Sequence, residues 1–219
     1  MKIEQNDTSS STPPKEKKTR GLGRGLDALN PIREKDDLDS IKKKRIRKDI
    51  VTKKTYTYKI FTDVATSLSG FKSANLLGTR ASNGQENLSI VSSCFHLGAD
   101  PALIGMIIRP HSVDRPSLEY LMETGFYTLN QVHGDMVPAA HQTAARYPRE
   151  VSEFTATGLT PAYLPDFPAP FVEQARIRLG MVLLETHTLQ INDTVMVIGA
   201  IEHIQLPGYA LGSDGYVDI

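Results

Sequence analysis

After about residue 70 the chain alternates short apolar runs with clusters of Gly, Pro, Asn, Asp and Ser, the pattern of strands separated by turns. Residues 73–79 predict a first strand. Asn83-Gly84 follows, a pair that tolerates positive φ and marks a hairpin turn. Residues 87–96, rich in Ser, continue as strand or extended chain, and 102–108 predict a buried strand after Asp100-Pro101. A helix is predicted over 115–123, capped by Asp114, with Pro116 in its first turn and Leu118, Leu121 and Met122 on one face. Gly125 ends it. Residues 126–130 read as the next strand, and the Ala-rich 136–147 as a second helix. The Pro-rich stretch 161–170 reads as a loop. Two longer strands follow over 175–191 and 194–206, with Asn192-Asp193 as the turn between them. Around six antiparallel strands with two inserted helices make a mainly β fold, a small barrel; a parallel α/β sheet is excluded because its long crossover helices are missing.

Composition changes this picture at the N-terminus. The 219 residues carry 25 Lys+Arg and 25 Asp+Glu, yet residues 1–54 hold 16 basic against 9 acidic side chains, and the remainder is correspondingly acidic. All 15 Tyr and Phe and all six His lie after residue 54. A segment without aromatics and with many like charges cannot bury enough surface to offset its chain entropy. Residues 1–54 therefore read as a disordered basic tail and linker, and residues 55–219 as an acidic folded domain. A single cysteine, Cys94, excludes an internal disulfide framework and a multi-Cys metal site. The longest apolar runs, 102–108 and 181–184, fall far short of the roughly 20 residues of a membrane span. Residues 1–20 lack the apolar centre of a secretory signal, so a cytoplasmic location is expected.

The tail offers two candidate features. Gly21, Gly23 and Gly25 have the wrong spacing for a dinucleotide fingerprint and follow no predicted strand. Residues 20–29 resemble the N-terminal arm of ParB partition proteins, which contacts a partner ATPase; a segment joined by recombination is the other reading. The basic run 42–48 reads as a solvated linker, or as an electrostatic contact for nucleic acid or an acidic surface, without aromatics for base stacking.

The folded part resembles the flavin reductase-like domain. The resemblance is carried in order by residues 79–89, Ser92-Ser93, Asp100-Pro101-Ala102-Leu103, Arg109-Pro110, Pro116-Ser117, 123–130, 150–154, 169–172 and 197–201. It covers about residue 48 to the end, and the ordered series carries it rather than any single motif. It implies an FMN-binding split β-barrel, antiparallel and Greek-key-like. It further implies an NAD(P)H-dependent flavin reductase that binds FMN, with FAD as the alternative flavin. A homodimer with flavin at its interface and a flavin-dependent monooxygenase as a downstream partner are also implied. The basic tail departs from the family pattern. Members of the family also continue beyond the equivalent of Ile219, which implies a missing final segment.

FMN presents a phosphate, a hydroxyl-rich ribityl chain and a flat ring. The phosphate calls for guanidinium and hydroxyl donors, for which Arg109, Arg115 and Ser117 are the candidates, Ser117 lying near a helix start. By resemblance Asn87, Leu88 and Ser89, with Ser92, Ser93 and Cys94, wrap the ring through small side chains and free N–H groups. Hydride transfer is the flavin's own chemistry, so no side chain is assigned as catalytic. Cys94 and His96 share a strand face but lack a third group for a thiolate pair, and a small buried Cys is the plainer reading. His133 stands in a loop where it could touch flavin or nicotinamide, whereas His187 and His203 read as structural or exposed. Two rival readings stay open: a flavin-binding protein without turnover, and an interaction protein working through the basic tail.

Overall fold

The computed structural model describes residues 68–110 and 116–217. The tail, Asp114, Arg115 and the basic run 42–48 lie outside the described residues. Nine strands form: β1 (Asn75–Arg80), β2 (Glu86–Val91), β3 (Cys94–Ala99), β4 (Ala102–Ile108), β5 (Phe126–Gln131), β6 (Pro161–Leu164), β7 (Phe167–Val172), β8 (Arg178–Leu189) and β9 (Thr194–Gln205). Three α-helices accompany them among the described residues: α1 (Pro116–Thr124), α2 (Val137–Gln142) and α3 (Glu153–Thr157).

Seven strands make one antiparallel sheet in the order β2-β1-β5-β8-β9-β4-β3. The two edge strands, β2 and β3, are consecutive in the chain, and only Ser92 and Ser93 separate them. Two linking residues span at most about 10 Å, so the sheet must curl until its edges meet. The result is a barrel with a seam between β2 and β3. Contact across it is direct: the Cys94 side chain of β3 joins the cluster built on Leu77 of β1 with Met106, Tyr127, Leu129 and Met181.

The hairpin turns form where the sequence places them. Gly84 takes φ +92° in the β1–β2 turn, where the Asn83 carboxamide accepts the Gln85 N–H at 2.9 Å. Asp193 takes φ +57° between β8 and β9, and Asn192 accepts the Thr194 N–H at 3.2 Å. Helix α1 ends as expected at Gly125 (φ +77°), whose N–H reaches the Leu121 carbonyl.

Four expectations need correction. The strands number nine among the described residues, not six, because the Pro-rich 161–170 holds most of the β6–β7 hairpin. Its two strands pair only with each other, so each keeps an unpaired edge on which a residue without an N–H is tolerated. Met122 is exposed and Tyr120 buried, so the inward stripe of α1 is Tyr120 and Leu121 with Ser117 one turn earlier. The helix predicted over 136–147 stops at Gln142. There the Thr143 hydroxyl donates to the Ala140 carbonyl at 2.8 Å, and the following N–H groups fall back to i→i+3 bonds. Finally, α3 forms in a stretch that had no assigned element, with Gly158 at φ +73° behind it.

The β6–β7 hairpin covers the outer face of β1 and β5. Asn130, wholly buried, ties the layers together: its amide donates to the Leu76 carbonyl at 3.0 Å and Thr128 Oγ1 at 2.9 Å, and its oxygen accepts the Val172 N–H at 2.9 Å. Thr128 in turn donates to the Pro170 carbonyl at 2.6 Å. Gly78 lies directly beneath. A Cβ there would collide with the Pro170 carbonyl oxygen and lie 2.5 Å from Thr128 Oγ1. Gly78→Ala is therefore expected to lower stability by about 1–3 kcal/mol, the cost of overpacking, read from urea unfolding. An unchanged midpoint would contradict this close approach.

Candidate functional site

β2 presents alternate residues to opposite sides. Leu88 points into the cluster of Leu76, Met136, Phe154 and Val172, whereas Asn87 and Ser89 point the other way, toward α1. There they meet Ser117. The Asn87 amide donates to Ser117 Oγ at 2.7 Å, and Ser89 Oγ lies 2.8 Å from the same oxygen. Asn87 is buried; Ser89 and Ser117 are half-buried. Ser117 reaches this place because it precedes Tyr120 and Leu121 by about one turn and so shares their inward stripe.

Leu88 takes no part in this cluster. Its side chain is fully buried on the other face, and its N–H donates to Glu153 Oε2 of α3 at 3.0 Å. An outward Leu88 N–H also means that its neighbours Asn87 and Ser89 turn their own N–H groups inward, into the ladder with Thr79 and Leu77. The free N–H groups expected along Asn87–Ser89 are thus absent, and only the side chains of Asn87 and Ser89 remain to offer.

The link between the edge strands is anchored on β4. The Ser93 hydroxyl donates to the Ile107 carbonyl at 2.7 Å, and the Ile107 N–H reaches the Ser93 carbonyl at 3.2 Å. Ser92 is exposed. Two residues beyond Ile107, Arg109 is exposed and makes no ion pair or hydrogen bond with a described residue. Cys94 is half-buried, and burial pushes its thiol up to about 12, against the pull of its hydrogen bond with Asn75. It is a packing residue and no thiolate, while His96 is exposed. His133 Nε2 lies 3.0 Å from the Gln174 carbonyl, apart from the cluster. The sequence-predicted residues therefore divide: Asn87, Ser89 and Ser117 come together, Ser92, Ser93 and Arg109 flank the seam, and Leu88 and Cys94 are structural. Arg115 lies outside the described residues.

Two anchors escaped the sequence reading. Glu153 holds α3 to the β2 edge through Leu88, and the only signal was Ser152-Glu153 as a helix start. Tyr163 of β6 donates to the Glu86 carboxylate, with Arg80 stacked on its ring at 5.2 Å, which fastens the β6–β7 hairpin to the β1–β2 hairpin.

The family of this chain is decided by comparison with known proteins. The family model described as "Flavin reductase like domain" matches residues 68–216. The chain belongs to that family. A split-barrel domain protein from Shewanella frigidimarina NCIMB 400, assigned to the flavin reductases, is 49% identical, with 74% of this chain and 81% of that chain covered at a TM-score of 0.72. Nitrilotriacetate monooxygenase component B from Bacillus cereus shares the fold at 21% identity and a TM-score of 0.67, covering 74% and 83%. An FMN-binding protein from Thermus thermophilus does so at 21% identity and 0.57, covering 68% and 82%. No curated protein matches the chain. The expected fold class, an antiparallel split β-barrel of the flavin reductase-like family, holds. The ParB-like reading of residues 20–29 gains no support from these matches.

Burial pushes the Glu153 carboxyl up despite the backbone N–H groups that hydrogen-bond to it. The folded protein therefore holds this proton more tightly than the unfolded chain. Stability from this group is greatest at low pH and falls as pH rises from the ordinary value of 4.5 into the raised range. Glu153→Gln keeps an acceptor for the Leu88 N–H and removes the charge. Urea unfolding of both proteins across this range is expected to show the difference shifting in favour of the variant as pH rises. A difference independent of pH would refute it.

Proposed function

We propose that the protein is an NAD(P)H-dependent flavin reductase that binds FMN at the seam between β2 and β3. The observation that carries the reading is the convergence of Asn87, Ser89 and Ser117 on one hydroxyl; Arg109, just past β4, is exposed and has no partner among the described residues. This donor set is chemically suited to FMN: two hydroxyls and a carboxamide for polyol and ring-edge contacts, and a guanidinium for the phosphate. The first turn of α1 adds backbone N–H groups without intrahelical partners. Membership of a flavin reductase-like family, and an FMN-binding protein among the fold relatives, support the same cofactor.

In this reading Arg109 and Ser117 hold the phosphate, with Ser89 and Asn87 fixing Ser117 in place. Ser92, on the exposed link, is free to donate to the ring. Bound flavin supplies the hydride-accepting ring, and the chain's own work is to seat it and leave one face open to nicotinamide. No side chain is assigned as acid or base. A second copy of the chain completing the site accounts for the exposed Phe95 and Leu97 on β3. A monooxygenase that consumes reduced flavin is the proposed partner, by analogy with the Bacillus cereus component B. None of the described helices is long and apolar enough to cross a membrane.

The test is an absorbance spectrum of the purified protein with FMN, then anaerobic addition of NADH or NADPH. Bleaching of oxidised flavin bands is the expected result and identifies the donor. Bands that persist with both donors leave a flavin-binding protein without turnover, and no binding of FMN removes the proposal. Arg109→Ala is expected to weaken FMN by ~1.5–3 kcal/mol, the worth of a hydrogen bond to a charged group; unchanged affinity would take Arg109 out of the site.

A further inference from the structure

A cavity of about 600 Å³ lies where β8 begins and β9 ends. None of its lining residues belongs to the cluster around Ser117. Arg176, Arg178 and Gln205 supply its polar lining, and Ala175, Ile204 and Leu206 an apolar wall. Arg178 is held by the sheet, opposite Asn130 on one side and Gln205 on the other.

The state of its guanidinium is unusual. Arg178 Nε is buried and has no hydrogen-bond partner, and the side chain makes no ion pair with any described residue. Arg149 and Arg80, by contrast, are engaged, Arg149 with Glu119 at 2.7 Å and Arg80 with the Gly84 carbonyl and the Tyr163 ring, while the unpaired Arg109 is exposed to water. Arg178 as a whole is half-buried, so the cost falls on this one N–H, which is closed to water, lacks an acceptor and would be satisfied by a bound anion. Arg176, two residues earlier, lies 3.8 Å from Asp135, beyond hydrogen-bond distance, and both side chains are largely exposed, so that pair is weak. No acidic residue lines the cavity.

We propose that this cavity is an anion site that takes a phosphate monoester, its oxygens received by Arg176 and Arg178 and its organic part by Ala175, Ile204 and Leu206. Two guanidinium forks suit a dianion with three acceptor oxygens better than a single carboxylate. The cavity's size falls within the range of small-molecule sites. The site does not depend on whether the seam holds flavin.

The test is a titration of the full-length, isotope-labelled protein with inorganic phosphate at fixed ionic strength, followed by amide NMR. Saturable shifts at residues 176–178 and 204–206 are expected. Arg178→Met should weaken phosphate at least about tenfold, as loss of one charge-assisted hydrogen bond does. Arg176→Met, altering a largely exposed side chain, should do so as well without endangering the fold, while Arg109→Ala should leave these shifts in place. Comparison of FMN with riboflavin in Arg176→Met separates sources: selective weakening of FMN identifies the flavin's own phosphate, and equal affinities identify another ester. Absence of saturable shifts at these amides, or phosphate affinity unchanged in both methionine variants, overturns the proposal.

Discussion

The two-residue link between β2 and β3 is the constraint on which the structure depends. Because Ser92 and Ser93 join opposite edges of a seven-stranded sheet, the sheet has no open-plan alternative. It closes on itself, and the closure leaves a seam rather than a continuous ladder. The seam stays in register because Ser93 bonds to Ile107 with both its hydroxyl and its carbonyl. Everything proposed for the site follows from that geometry. Small polar residues on β2 and the link are brought beside the chain leaving β4 and the start of α1.

Around this seam, buried polar groups do the fastening. Asn130 meets three partners in β1, β5 and β7, which makes it costly to remove and holds the hairpin layer at a fixed distance. Glu153 satisfies an edge-strand N–H, that of Leu88, which would otherwise be left open. The same alternation that buries Leu88 presents Asn87 and Ser89 to Ser117.

What was legible in the sequence was local. Asn83-Gly84 and Asn192-Asp193 specify turns through their own side chains and φ preferences, and Gly125 marks a helix end for the same reason. The rest depends on partners distant in the chain. The Pro-rich 161–170 looks like a loop because proline lacks a donor, and only the isolation of the β6–β7 pair makes a strand permissible there. Met122 and Tyr120 differ by two positions on one helix, and which of them is buried depends on how the helix is rotated against β1. The residues of the seam could be named from family resemblance. That Asn87, Ser89 and Ser117 form one cluster and that Leu88 stands apart could not, since a strand's inward face is set by its neighbours. Arg176 and Arg178 gave no signal beyond two like charges at the start of a predicted strand.

The central claim is that flavin sits at the seam, and amide hydrogen exchange of the full chain with and without FMN tests it most directly. FMN is predicted to slow exchange in residues 87–94, 107–110 and 116–117, the described stretches around the β2–β3 link. Protection confined to other parts of the barrel, or none despite demonstrated binding, would contradict it.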